Sequence, residues 1–218
     1  MNQRRHRAFP SHNSAAFRLH PAAMRKTLAI FLVLFVLWLG YLVWPFASLF
    51  AVVRAAQAGD AAAIAQRVDF PKLRRSVAVH ILQAYAGLSG TRLDSASMTI
   101  GLGAALADPL MEKLLTPAAL AELLRSGWPK AALGDDAPAG SAGLDPGALG
   151  NLWQLYLNSD YGIGVVRISV PAAQPRDRQF HIEFSLSQWT WKLSGLDLPV
   201  ALKERLAREV MKQKARPG

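Results

Sequence analysis

In the stretch QFHIEFSLSQWTWKLSGLDL, residues 179–198, apolar and polar side chains alternate along most of the sequence. In its first half, apolar residues alternate with His, Glu and Ser, and in its second half Trp189, Trp191 and Leu193 share one face. A period of two is typical of a strand with one covered and one wetter face. We therefore predict two antiparallel strands, 179–187 and 189–198, joined at Gln188.

The neighbouring segments extend this pattern. NLWQLYLN (151–158) and YGIGVVRISV (161–170) are two further strand candidates, linked at Ser159-Asp160, and an exposed connection, 171–178, follows them. A closing helix is expected from Pro199. Helices precede this meander, so the predicted fold is α+β, with the helical region packed on a four-stranded antiparallel sheet. The order of elements also looks like the cone of nuclear-transport-factor-2-like domains, which is an analogy of fold alone.

The helical region has clear start and stop signals. Gly59 suits the position after a helix, and Asp60 suits the cap of the next one. Asp69 and Pro71 predict another helix start, where a carboxylate faces free N–H groups. Asp108-Pro109 and Thr116-Pro117 predict two more starts. The uncharged, small-residue segment 95–107 is expected to form a buried helix, with a strand at 98–100 as the alternative.

The segment TLAIFLVLFVLWLGYLVW, residues 27–44, contains no charged residue. Such a segment is long enough to cross a hydrocarbon core of about 30 Å. Arg25 and Lys26 precede it, which by the positive-inside rule predicts a cytoplasmic N-terminus and a domain across the membrane. Pro45 is expected to interrupt the segment before a helix over 47–58. The alternative is a signal peptide cleaved after Ala56-Gln57-Ala58.

These signals divide the chain into six regions. They are a basic, disordered cytoplasmic tail (1–26), the transmembrane anchor with its continuation helix (27–53), a helical region (54–128), a flexible loop (129–150), the antiparallel sheet (151–198), and a closing helix with a basic tail (199–218).

Composition excludes several classes of function. The chain has no cysteine, so disulfides, thiolate metal sites and cysteine nucleophiles are absent. The net charge of +10 comes from the tails, because residues 1–26 hold six basic residues and no acid, and residues 203–218 hold six basic and two acidic ones. The neutral body argues against nucleic-acid binding. No metal-ligand spacing, phosphate loop or nucleophile–base pattern is present, so we expect no cofactor, no metal and no enzymatic activity.

Four sequence motifs together resemble those of a known family. Ala58-Gly59-Asp60 and Val68-Asp69-Phe70-Pro71-x-Leu73-Arg74-x-Ser76 follow the apolar anchor, and Trp191-Lys192-Leu193 and Leu196-Asp197-Leu198-Pro199 stand far downstream. This combination resembles the bacterial family known as domain of unknown function 2939. The resemblance implies a small membrane-anchored protein of Gram-negative bacteria and no assigned activity.

Two sets of side chains are candidate binding residues. The first is a polar cluster at the helix corner, where capping is the competing explanation for both acids: Asp60, Asp69, Phe70, Pro71 and Arg74. The second is a pocket lining between sheet and helices, where core packing competes: Tyr85, Phe184, Trp189, Trp191 and His181. His80 and His181 are expected at the surface or at an interface, and the polar strand face of His181, with Glu183 and Lys192 as candidate neighbours, leaves a pocket role open.

The sequence thus favours a single-pass inner-membrane protein with a periplasmic domain. Its expected role is non-catalytic binding or scaffolding in the cell envelope, with the membrane and an envelope protein as partners. The alternative is a periplasmic domain, released from a signal peptide, that binds a small apolar ligand and has weak enzymatic activity.

Overall fold

The computed structural model describes residues 21–90, 94, 100–101, 109–137, 143–149 and 152–215. The chain forms two compact units, Met1–Leu42 and Val43–Gly218. Of the predicted buried helix at 95–107, only Ile100 and Gly101 lie within the described residues. Both are helical, and the Ile100 side chain is exposed.

The first long helix, α1, spans Pro21–Gln57. Every residue from 24 to 41 is exposed, and the part Met24–Gln57 is long and apolar enough to cross a membrane. This confirms an N-terminal apolar helix that is compatible with membrane anchoring. The expected interruption at Pro45 is wrong, because α1 continues through this residue. Phe46 and Leu49 are buried directly after it, and their packing favours continuation of the helix.

The second unit is helical before and after its sheet. Its helices are α2 (Ala61–Arg67), α3 (Phe70–Ser89), α4 (Pro109–Leu114), α5 (Pro117–Ser126), α6 (Lys130–Leu133), α7 (Leu152–Leu157) and α8 (Val200–Ala215). The predicted starts of α2, α3 and α5 are confirmed by side-chain caps. Asp60 accepts from Ala63 N at 2.9 Å, and Thr116 caps α5 in the same way.

Four strands form one antiparallel sheet in the order β1-β2-β3-β4. They span Ser159–Gly162 (β1), Val165–Val170 (β2), Phe180–Ser187 (β3) and Thr190–Asp197 (β4). One face is apolar and buried, and the other carries polar side chains. The structure therefore confirms the α+β class, with helices, a four-stranded meander and a closing helix.

Three predictions within the sheet are wrong. Residues 151–158 do not form a strand, since α7 occupies 152–157. Residues 161–170 form the end of β1, a turn and β2, because Gly164 has a φ of +70° and allows the chain to reverse there. Trp189 does not share a face with Trp191, since it lies in the turn between β3 and β4.

The predicted flexible loop, 129–150, is partly fixed. Leu144 is buried, its N–H donates to Leu124 O at 2.6 Å, and its carbonyl accepts from Gln57 Nε2 at 2.7 Å. Leu149 is also buried, at the end of a short 3₁₀ turn. These contacts hold the described part of this connection against α1 and α5.

Candidate functional site

The helix corner at 59–77 joins the helices to the sheet. Val68 is buried and forms a parallel bridge with Leu193 of β4, and Asp69 N donates to Leu193 O at 2.8 Å. The chain then turns into α3, whose residue Leu73 is fully buried. The sequence motifs 68–76 and 191–193, which lie far apart in the chain, are therefore in direct contact.

The predicted polar cluster at this corner is divided between separate structural roles. Asp60 caps α2, whereas Asp69 caps α3 through Lys72 N at 3.3 Å. Phe70 packs against the core. Among the described residues, Arg74 is exposed and forms no ion pair with either acid. Pro71 is exposed in the first turn of α3.

The predicted pocket residues do not line one cavity. Phe184 and Trp191 belong to the buried core, whereas Trp189 is 92% exposed. Tyr85 and His181 are half-buried. The aromatic side chains of β3 and β4 thus fill the interior or lie in the turn.

A groove of about 530 Å³ lies between α3 and the polar face of the sheet. Its wall is a row of α3 side chains one helical turn apart, and its floor is formed by β2, β3 and β4. We call it the α3 groove, and its lining is Lys72, Arg75, Ser76, Val79, His80, Val165, Arg167, Glu183, Ser185 and Ser194.

The charges of the α3 groove are unbalanced. Its lining contains three cationic side chains, those of Lys72, Arg75 and Arg167, and the carboxylate of Glu183, which accepts from Arg167 Nε at 2.8 Å. Lys72 Nζ donates to Ser185 Oγ at 3.3 Å and lies 3.5 Å from Asp69 Oδ2. The Lys72 side chain is nevertheless 54% exposed. Arg75 is exposed and forms no ion pair among the described residues. The groove thus offers positive charge and the half-buried Ser76 hydroxyl to solvent, whereas Ser185 and Ser194 are buried.

A cluster of titratable groups adjoins the α3 groove. His80 Nδ1 lies 3.7 Å from Asp197 Oδ1, and Lys203 Nζ of α8 lies 2.8 Å from the same oxygen. His181 is the cross-strand neighbour of Asp197. The Nδ1 atoms of both histidines are buried without a hydrogen-bond partner. The cluster thus lies where the middle of α3 meets the start of β3, the end of β4 and the first turn of α8.

Sequence reasoning missed most of this site. It named Glu183 and Lys192 as neighbours of His181, but the structure pairs Lys192 with Ser185 and His181 with Asp197. The sequence does contain one indication of the site. Lys72, Ser76 and His80 are spaced four residues apart and therefore share a face of α3. Nothing local shows that this face lies over the sheet.

A second groove, of about 760 Å³, lies between the end of α1 and α2. Alanines form half of its lining, with Phe50, Arg54, Asp60 and Arg67 among the others. Asp60 already serves as the α2 cap. In the described chain, no group of His, Asp or Glu is arranged to hold a metal ion.

Residues 34–123 match the family model described as "Protein of unknown function (DUF2939)". This match confirms the resemblance. It includes the whole of α3 and thus one wall of the α3 groove, while the sheet that forms the floor lies outside it. No curated protein and no solved structure matches the chain.

Proposed function

We propose that this chain is a membrane-anchored, non-catalytic binding module that holds an anionic ligand in the α3 groove. The observation that carries the proposal is the excess of cations in that groove. Lys72 pairs with Asp69 and Arg167 with Glu183, whereas Arg75 has no ion-pair partner among the described residues. Arginine and lysine side chains recognise carboxylate and phosphate oxygens through charge-assisted hydrogen bonds. The half-buried Ser76 hydroxyl adds an uncharged partner for the same oxygens.

The domain lies, in this proposal, on the periplasmic side of a bacterial inner membrane. The exposed apolar part of α1 supports anchoring, and the basic residues before it support a cytoplasmic N-terminus. The ligand is then a component of the cell envelope, either a small anion or the acidic segment of an envelope protein. Both present the same oxyanion chemistry to the groove.

One observation favours binding over catalysis. Ser76 and His80 are one helical turn apart and His80 lies beside Asp197, yet among the described residues no hydrogen bond joins the Ser76 hydroxyl to the His80 imidazole. A nucleophile needs such a bond to its base. The second function considered, binding of a small apolar ligand, has less support because Phe184 and Trp191 are packed in the core.

Thermal unfolding of the full chain in detergent micelles tests the proposal, with inorganic phosphate and a hexaglutamate peptide as probes. A bound anion stabilises the folded state by mass action, so the midpoint is expected to rise with probe concentration. Lys72→Gln and Arg75→Gln are expected to abolish that rise. A response to phosphate alone indicates a small anion, and a response to the peptide alone indicates an acidic segment.

Lys130→Gln is the matched control. Lys130 is 50% exposed and lies 3.3 Å from Asp135 Oδ1, so its exposure and its ion pair resemble those of Lys72. Its loss changes the overall charge equally but leaves the α3 groove intact. An equal midpoint shift in all three variants, or no shift in the wild-type chain with either probe, would contradict an anion site in this groove.

A further inference from the structure

The groove of about 760 Å³ between the end of α1 and α2, which we call the α1–α2 groove, has an apolar wall. The residues that α1 and the turn after it contribute follow one helical face over about 16 Å. The apolar members of this row are Ala47, Phe50, Ala51, Ala55 and Ala58. Ala63 of α2 and Pro146 complete the apolar lining. The groove thus offers a long, narrow apolar surface within the unit Val43–Gly218.

The same part of α1 is apolar on its other side as well. Phe46, Leu49 and Val53 are buried in the core. A helix that is apolar on both sides is typical of a position where both sides are covered. The side that faces the groove is not covered to the same degree, because Ala47 is exposed and Phe50 is half-buried. The core therefore accounts for one side of this helix and not for the other.

Two arginines accompany this apolar lining. Arg54 of α1 is exposed, and Arg67 of α2 is half-buried and donates from Nη1 to Ala63 O at 3.2 Å. The lining contains one carboxylate, that of Asp60, which caps α2. Among the described residues, no ion pair joins Asp60 to either arginine. Both guanidinium groups therefore keep donors for an anion from outside the domain.

Helix α5 brings a third guanidinium group to one end of the groove. An added Cβ on Gly59 would lie 4.0 Å from Arg125 Nη1, and Gly59 stands between the lining residues Ala58 and Asp60. Arg125 is exposed and forms no ion pair within the described part of the chain. The groove therefore combines an apolar wall with an excess of positive charge. A complementary ligand has an apolar body and an anionic group.

The size of the groove favours a small molecule over a protein partner. Pockets for small ligands enclose about 300–1,000 Å³ and are mostly apolar, with a few charged or polar groups that fix orientation. A stable protein–protein interface takes about 20–30 residues from each side. Ten residues line the α1–α2 groove, and half of them are alanine. Its lining is thus too small for such an interface.

We infer that the α1–α2 groove binds a single-chain anionic amphiphile, that is, an alkyl chain with a carboxylate or phosphate head. The chain lies along the row 47–58, in which Arg54 is the one polar lining residue. The head pairs with Arg54 and Arg67, because guanidinium groups match carboxylate and phosphate oxygens. This site shares no lining residue with the α3 groove. All of its lining except Pro146 lies within the matched residues 34–123.

Photo-crosslinking of the full chain in lipid nanodiscs tests this inference. The probes are a fatty acid and an alkyl phosphate of equal chain length, each with a diazirine in the chain. Adducts on residues 58–67 are located by mass spectrometry of peptic peptides and are expressed relative to adducts with the nanodisc lipids. Labelling by at least one probe is expected, and the stronger probe identifies the head. The methyl ester of the fatty acid should label these residues about tenfold less, since one charge-assisted hydrogen bond or more is lost.

Arg54→Gln and Arg67→Gln should each lower the relative labelling about tenfold for the same reason. Arg74→Gln is the matched control and should have no effect, because Arg74 is exposed, forms no ion pair with the described residues and lines neither groove. Ala51→Phe should abolish labelling by filling the groove. Circular dichroism checks that each variant is folded.

Three results would overturn the inference. They are an absence of adducts on residues 58–67 with both acidic probes, equal labelling by the ester and the acids, and an equal effect of Arg54→Gln and Arg74→Gln. The last two would show that the probe reaches these residues by partition into lipid alone. Lys72→Gln, in the α3 groove, should leave the labelling unchanged, so this site and the proposed anion site are tested separately.

Discussion

At the scale of single residues, two glycines differ in the space around them. Gly143 lies against the backbone of α5, where an added Cβ would overlap the carbonyl group of Arg125. Gly87, in contrast, is an exposed residue near the end of α3, and an added Cβ there would meet nothing. Close packing of the connection explains the first glycine, and no contact explains the second.

Gly143→Ala is therefore expected to lower the free energy of unfolding by about 1–3 kcal/mol, the usual cost of overpacking. Gly87→Ala is expected to raise it by about 0.5–1 kcal/mol, because alanine loses less backbone entropy in a helix. Urea unfolding in detergent micelles, followed by circular dichroism, measures both. If the two variants shift stability in the same direction, the packing of residues 143–144 against α5 is not as described.

At the scale of elements, α3 and β4 are closely packed at Ser76 and Gly195. An added Cβ on Gly195 would lie 3.0 Å from Ser76 Oγ and 3.0 Å from the Cβ of Glu183. Gly195 lies beside the register shift between Glu183 and Phe184, which places Ser194 opposite no residue of β3.

Gly195→Ala is expected to destabilise the domain by about 1–3 kcal/mol, since α3 must move away from β4. Ser76→Ala removes one of the two atoms that the new methyl group would meet. The double variant should therefore be more stable than the sum of the two single changes predicts, by about 0.5 kcal/mol or more. Strict additivity in urea unfolding would show that Ser76 and Gly195 do not constrain each other.

Elements whose signals are local were predictable from the sequence. Asp60, Asp69 and Thr116 cap helices through donors three residues away, so their roles can be deduced from a short stretch of sequence. The strand 180–187 has unambiguous alternation. LWQLYL at 152–157 is too short to distinguish a period of two from one of 3.6, and it is a helix.

The α3 groove was not predictable in the same way. Lys72 reaches Ser185 across 113 residues of sequence, and His80 meets Asp197 and Lys203 only after α3, β4 and α8 have packed. No local sequence pattern predicts contacts between residues so far apart in the chain. The resemblance to the family was visible because its motifs are caps and strand contacts, which have fixed local patterns.

At the scale of the whole molecule, charged and apolar residues are distributed unevenly along the chain. Basic residues precede the apolar segment of α1, and the cations of the α3 groove lie far downstream of it in the chain, between α3 and the sheet. The proposed function requires that α1 anchors the domain at a membrane and that the domain lies on the periplasmic side.

Labelling of single cysteines in intact bacterial spheroplasts tests this central claim most directly. We expect a membrane-impermeant maleimide to label Asp177→Cys, in the exposed connection after β2, but not Asn13→Cys in the basic tail before α1. Both proteins should remain full-length in the membrane fraction. Labelling of Asn13→Cys alone would reverse the topology, and a soluble product shortened at Ala56-Gln57-Ala58 would show that the helix is a cleaved signal and not an anchor.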